Sequence, residues 1–251
     1  MVDPDGVDLV TGAIQAGTLQ YGAAQRLSDN YPLIPFPEGW KANLLGVDLN
    51  LQYPAGWLRA REIKFSQGYT RPGPRDYVGR APLNQRESAA LADFTQKIDP
   101  ALVLAYHTQG KVIYWQFQDY EVPGARELGE EFARLSGYEL ADTPYESSFA
   151  GYKDWFIRKF RRPGYTIEVG SGLNPLPIEQ FPEIYRDNLG ILVNDGRFFT
   201  EADRMLAQAE QIAAQSAVAP YERFAVIETD EGYGIWDDLH DGLYVDESRR
   251  P

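Results

Sequence analysis

The chain has 251 residues, 43% of them hydrophobic and 13% aromatic, and a formal charge of -13. That is ample apolar material for one sizeable core, while the negative charge repels nucleic-acid backbones and anionic membrane surfaces and favours a cationic or zwitterionic substrate. The absence of cysteine excludes disulfides, thiolate metal sites and a cysteine nucleophile, and no apolar run approaches the ~20 residues of a membrane-spanning helix.

Met1-Val2-Asp3-Pro4-Asp5-Gly6 has neither the basic start nor the apolar stretch of a signal peptide and reads like the inside of a domain. Residues 1–60 are rich in Pro, Gly and Asn, with short apolar pieces at Val7-Asp8-Leu9-Val10 and Leu44-Leu45-Gly46-Val47-Asp48-Leu49, a pattern that predicts brief strands joined by loops. Ser28 to Lys41 reads as an ordered surface loop. Asn84 with Glu87 three residues on predicts a capped helix start, and Ala90, Leu91, Phe94 and Ile98 follow at helical spacing.

Residues 101–106 form a short apolar run between Pro100 and Gly110, read as a buried strand with His107 at its C-terminal end. Lys111 to Trp115 is a second strand. Ala125, Leu128, Phe132 and Leu135 mark an amphipathic helix stopped at Gly137. Tyr165 to Gly170 is a further strand with Glu168 near its end. Thr200 caps a predicted helix carrying Leu206, Ile212 and Ala213, Phe224 to Ile227 is one more short strand, and Asp230 to Glu247 is acidic and aromatic with turns at Gly232, Gly234 and Gly242. Strands alternating with helices predict an α/β fold: a mixed, partly parallel twisted sheet flanked by helices, with residues 1–217 as the main domain and 218–251 as a C-terminal extension.

The chain has two histidines, and one falls at a strand end, where open α/β sheets bind ligands. Taken alone, His107 is as readily a hydrogen-bonded histidine at a sheet edge, Glu168 a solvated strand end, and Asn50 a turn residue. Together they make a site more plausible than any one of them does. There is no Gly-x-Ser-x-Gly elbow and no phosphate-cradling glycine loop, so serine hydrolase and nucleotide-binding functions lack support.

From about Met1 to Val193 the chain resembles the superfamily of carboxypeptidase A-like (M14) zinc metallocarboxypeptidases, in particular its γ-D-glutamyl-diaminopimelate peptidase branch. Val2-Asp3-Pro4-Asp5-Gly6 resembles the family's Asn-Pro-Asp-Gly segment, Gly46-Val47-Asp48-Leu49-Asn50 its Gly-Val-Asp-Leu-Asn-Arg motif, and Ala150-Gly151-Tyr152-Lys153-Asp154-Trp155 its Gly-Gly-Ser-x-Asp-Trp segment. The resemblance implies one catalytic zinc, with His107 as a metal ligand, Glu168 as the general base, Asn50 holding the substrate's terminal carboxylate, and Tyr145 as the mobile active-site tyrosine. The family's oxyanion-stabilising arginine has no clear counterpart; Lys41, after Trp40, lies in roughly its place and would supply the positive charge, its plain alternative being a solvated loop lysine. Lys153 occupies the pocket position that reads the substrate side chain, and a cation there would pair with the extra carboxylate of diaminopimelate. Its plain alternative is a salt bridge to a neighbouring acid.

Besides the missing oxyanion arginine, two departures qualify this. Leu51 replaces the arginine that usually follows the motif asparagine, which removes the bidentate carboxylate clamp. The family's first zinc motif, His-x-x-Glu, stands upstream of the Asn-Pro-Asp-Gly segment, where this chain begins. His240, followed by Asp241-Gly242-Leu243, cannot substitute. Met1 is therefore read as an internal methionine of a longer, N-terminally truncated protein missing its first strands, and the chain as given is expected to lack two zinc ligands and activity. The expected function is zinc-dependent hydrolysis of a peptide bond near the C-terminus of small peptides, with diaminopimelate-containing peptidoglycan stem peptides as the candidate substrate. The alternative is a non-catalytic peptide-binding relative or inactive fragment. Nucleic acid and a transmembrane segment are not expected; oligomeric state and location, cytoplasm or cell wall, stay open.

Overall fold

The computed structural model describes residues 2–193 and, for backbone alone, 224–229, 232–237 and 242–244. The chain divides into two compact units, Met1–Phe199 and Thr200–Pro251.

The first unit opens with helices. Asp3 caps α1 (Pro4–Val10), its carboxylate accepting from the Gly6 N–H at 3.0 Å, and Pro4 supplies a preset φ at the first turn. Thr18 caps α2 (Leu19–Ser28) in the same way. The strands expected in residues 1–60 are not found there. Val7 to Val10 is helical because the Asp-Pro start nucleates a turn, with Leu9 buried against Ala24, Trp40 and Ala42. Leu44 to Leu49 is a loop closed by the Asn43 side chain, whose Oδ1 accepts from the N–H groups of both Leu45 and Val47. It ends in a 3-10 turn, Leu49–Leu51.

After α3 (Trp57–Ser66) comes the expected helix, α4 (Arg86–Ile98), but its cap is Gln85 rather than Asn84. The two residues of the anticipated capping box are occupied elsewhere. Asn84 Oδ1 accepts from Gln85 Nε2 at 3.0 Å, and Glu87 Oε1 accepts from Asn43 Nδ2 at 3.2 Å. The helix buries Ser88, Ala92 and Thr95, leaving Phe94 and Ile98 more than half exposed.

A four-stranded mixed sheet forms the centre, in the order β1-β4-β2-β3: β1 (Val103–Thr108), β4 (Gly164–Val169), β2 (Val112–Tyr114) and β3 (Glu139–Ala141). β1 runs parallel to β4 and β2 parallel to β3, while β2 and β4 are antiparallel. On one face α5 (Ala125–Ser136), ended by left-handed Gly137, packs with Ile191 of α7 (residues 181–193). There Phe132, Ile113, Tyr165 and Ile167 are fully buried, each contributing about 1.5–3 kcal/mol. A second cluster joins Val103 and Ala92 to Trp155, Phe156 and Ile157 of α6 (Tyr152–Phe160). With alternating sides along a strand, Tyr165, Ile167 and Val169 face α5 and α7, which puts Thr166 and Glu168 on the opposite face.

The second unit has a three-stranded antiparallel sheet, β5 (Phe224–Thr229), β6 (Gly232–Asp237) and β7 (Gly242–Tyr244), in that order. The turns expected at Gly232 and Gly234 are instead ladder positions, paired with Thr229 and Ile227. The helix expected from Thr200 lies outside the described residues. Among the described residues no helix is long and apolar enough to cross a membrane.

Candidate active site

Two groups of polar residues lie close to the sequence motifs. The first is set by strand register. In the parallel β1/β4 ladder His107 stands directly opposite Glu168, so the two side chains emerge side by side from the face opposite α5 near the C-terminal ends of both strands. Both are partly buried, and Glu168 Oε2 is shielded from solvent without a hydrogen-bond partner. Burial pushes the Glu168 carboxyl above its ordinary range, opposed by the positive charge of Lys41. Burial pushes the His107 imidazole down, reinforced by Lys41 and opposed by Asp48, which favours the neutral ring.

The loop holding Lys41 and Asp48 is pinned to the segment before residue 80. The N–H groups of Lys41 and Ala42 both donate to Pro74 O, at 2.7 and 2.9 Å. Buried Asp48 accepts from the N–H of Asn50 at 3.2 Å and of Asp76 at 3.1 Å. For Asp76, paired with Lys64 at 2.6 Å and Arg75 at 3.0 Å, burial is the largest single effect and raises the carboxyl, but the surrounding cations together outweigh it and hold the group below the usual carboxylate range. Asp3 belongs to the same acidic neighbourhood. Burial, with Glu87, Asp48 and Asp5 nearby, raises its carboxyl to about 7.

The second group surrounds the start of α6. Asn50 is exposed, and its Oδ1 lies 3.7 Å from where a Cβ on Gly151 would stand, which places the amide over the first turn of that helix. Lys153 is only 4% exposed. Its ammonium donates to Gln116 O at 2.5 Å, lies 3.5 Å from Thr143 Oγ1 and pairs with Asp154 Oδ1 at 2.5 Å. Two of the ammonium's three donors thus have acceptors within the protein, and its charge is met by the neighbouring acid, whose Oδ1 is shielded and accepts no hydrogen bond. Asp154 also caps α6 through the Gly151 N–H, at 3.3 Å. Tyr145 sits in a short 3-10 turn, more than half exposed. Its hydroxyl accepts from Arg59 Nε at 3.2 Å, and its ring meets Phe149 edge-on.

Tyr145 lines a cavity of about 210 Å³ together with Gln116, Gln118, Asp119, Thr143 and Ser148. Within its lining Gln118 donates to Ser148 Oγ at 2.5 Å. The lining residues that sequence reasoning missed are Gln116, Gln118, Asp119, Thr143 and Ser148. They sit in loops after β2 and β3, and no spacing rule links them. The one available signal was the stretch Gln116-Phe117-Gln118-Asp119, in which buried Phe117 alternates with polar residues.

As a zinc centre the described residues do not fit. Tetrahedral catalytic zinc takes three protein ligands, and among the described residues no group of three or more His, Cys, Asp or Glu side chains is arranged to hold a metal ion. His107 is a single candidate ligand.

The model of the zinc carboxypeptidase family, Peptidase M14, matches residues 1–190. The chain is 50% identical over 196 residues to γ-D-glutamyl-L-diamino acid endopeptidase 1 of Lysinibacillus sphaericus, covering 77% of this chain and 46% of that protein. It is 40% identical over 192 residues to the uncharacterized protein YqgT of Bacillus subtilis (strain 168), covering 76% and 49%. It thus spans about half the length of these curated relatives. Among solved structures, murein-tripeptide amidase MpaA from Escherichia coli O157 superposes with a TM-score of 0.43 at 23% identity, over 61% of this chain and 60% of that one. Bovine thrombin-activatable fibrinolysis inhibitor superposes with a TM-score of 0.44 at 14% identity, over 57% and 53%.

Proposed function

The chain belongs to the zinc carboxypeptidase family, Peptidase M14, and from that premise we propose that it carries the base and substrate-binding part of a site that hydrolyses small peptides containing a diamino acid, peptidoglycan stem peptides being the candidate. The observation that carries this reading is the register of His107 opposite Glu168 at the ends of two parallel strands, the positions expected of a metal ligand and a general base. The name of the Lysinibacillus relative supports the substrate class.

In this reading Glu168 takes a proton from the attacking water and delivers it to the leaving amine. A carboxylate whose pKa is raised by burial is a stronger base than an exposed one and is closer to the working pH. Lys41, exposed but close enough to perturb both Glu168 and His107, supplies positive charge toward the developing oxyanion. Asn50 binds the substrate carboxylate from above the start of α6, and Tyr145 closes over it. Lys153 serves binding by holding Gln116 and Thr143 in the cavity wall.

The described residues do not complete a zinc site, so residues 1–251 alone are proposed to lack turnover. A second reading, a peptide-binding relative without catalysis, draws on that same finding. The two are separated by adding zinc and a γ-D-glutamyl-diaminopimelate dipeptide to the 251-residue chain, and to the chain preceded by a His-x-x-Glu-bearing segment. Turnover in the second protein, lost by ~10³-fold in Glu168→Gln, supports the hydrolase. Peptide binding without turnover in both supports the binding protein.

A further inference from the structure

We propose that the cavity between the loops following β2 and β3 is a subsite for the ammonium end of a diamino-acid side chain, and that Asp119 is the residue that reads it. This rests on the peptidase-family reading above and names the feature of the substrate that the site selects.

The cavity's volume, about 210 Å³, is below the ~300–1,000 Å³ typical of sites for whole small ligands, so it suits one side chain rather than a peptide. Its walls are amides and hydroxyls: Gln116, Gln118, Thr143, Ser148 and Tyr145. Among the described residues that line it, Asp119 is the one charged side chain, and it is exposed.

Behind the wall lies a second charge, Lys153, which at first sight argues for an anionic guest. Its surroundings say otherwise. It is buried, its ammonium is within 2.5 Å of Asp154 Oδ1, and two of its donors go to Gln116 O and Thr143 Oγ1. The Lys153–Asp154 pair is neutral as a unit, and a guest carboxylate would have to displace a buried ion pair. Of the other cations nearby, Arg59 donates to the Tyr145 hydroxyl and is paired with Glu62 at 2.7 Å, and Arg161 is stacked over the Tyr120 ring at 4.3 Å; neither lines the cavity. What the cavity offers an incoming group is therefore one negative charge with hydroxyl and carbonyl acceptors around it, the complement of an ammonium. A side chain ending in an amine fits; one ending only in a carboxylate does not.

Four free amino acids separate the alternatives: lysine, norleucine (no distal charge), diaminopimelate (distal ammonium and carboxylate) and 2-aminopimelate (distal carboxylate alone). Affinities are measured by calorimetric titration of the full 251-residue chain and of Asp119→Asn. Lysine should bind about five- to tenfold tighter than norleucine, and diaminopimelate tighter than 2-aminopimelate by a similar factor, as for one partly solvated charge pair. Asp119→Asn should bring both ratios close to one with an unchanged melting temperature. The inference is overturned if 2-aminopimelate binds as tightly as diaminopimelate, if the preferences survive in Asp119→Asn, or if none of the four binds. Failure of the zinc-supported hydrolysis described above leaves these ratios untouched, and failure here leaves the Glu168→Gln comparison untouched.

Discussion

The two polar regions of the first unit are built on opposite terms. At the β1/β4 strand ends the groups are held apart from what would satisfy them: Glu168 Oε2 is shielded and unpartnered, and burial disfavours the charged forms of both Glu168 and His107. Around the start of α6 most polar groups are engaged, with Asp154 Oδ1 in ion-pair contact with Lys153 but accepting no hydrogen bond. Lys153 has three partners, Asp154 caps a helix, and Gln118 ties two loops together. A group left unsatisfied by its own fold is available to a reacting molecule, whereas a saturated one shapes a wall. The contrast is in keeping with the proposed division, chemistry in the first region and framework in the second.

The sharpest way to break that contrast is to open the saturated region. Asp154→Ala leaves the Lys153 ammonium buried without its counter-charge, and the chain should lose about 3–5 kcal/mol of stability in denaturant unfolding. A loss under 1 kcal/mol would mean that water reaches the pair and that the wall is not closed.

The strand-end neighbourhood should respond with the opposite sign. Asp3, raised to about 7, is favoured in its protonated form, so its contribution is most favourable below its unfolded value of 3.8 and declines as pH rises through about 7. Asp3→Asn keeps a competent helix cap and should stabilise the chain at pH 8 by about 1 kcal/mol after allowance for solvent screening. At pH 3.5 the change should vanish; equal gains at both pH values would contradict the buried-carboxyl argument.

Glu168→Gln should act in the same direction and more weakly, under about 1 kcal/mol at pH 8, since the raised Glu168 favours its protonated form and loses stability as pH climbs above 4.5. His107 has the reverse sense. Its depressed pKa favours the neutral ring, so its contribution is intact above 6.5 and is lost as pH falls below that value. A Glu168→Gln chain that unfolds more readily at pH 8 than the parent would show that the carboxylate is satisfied after all. The smallest effect is expected from Glu62→Gln, which removes a surface ion pair to Arg59 with side chains 49% and 66% exposed. No measurable change in thermal melting is expected there; a clear one would make Tyr145, which shares Arg59, part of a coupled network.

How much of this was legible beforehand follows from which interactions are local. α5 was readable end to end because its apolar spacing and its stop at Gly137 lie within a dozen consecutive residues. The strands holding His107 and Glu168 were readable as apolar runs between Pro and Gly signals, and the family motifs supplied the roles proposed for them, which position alone left open. Where local signals competed with distant partners, sequence reasoning went astray. Asn84 and Glu87 spelled a capping box, yet Glu87 is engaged by Asn43, 44 residues away along the chain. Val7 to Val10 passed for a strand because four residues carry too little periodicity to oppose an Asp-Pro helix start.

The sequence by itself determined the alternation of helices and strands, the acidic balance and the motif residues, because these depend on side-chain type and on spacing within one element. Only the tertiary structure decided that His107 and Glu168 stand opposite each other, that Lys153 is spent on Asp154 rather than held open, and that Asp119 faces a cavity with Tyr145. Register, ion-pair choice and cavity walls join residues tens of positions apart, and such contacts are fixed by the packing of whole elements rather than by the residues that make them.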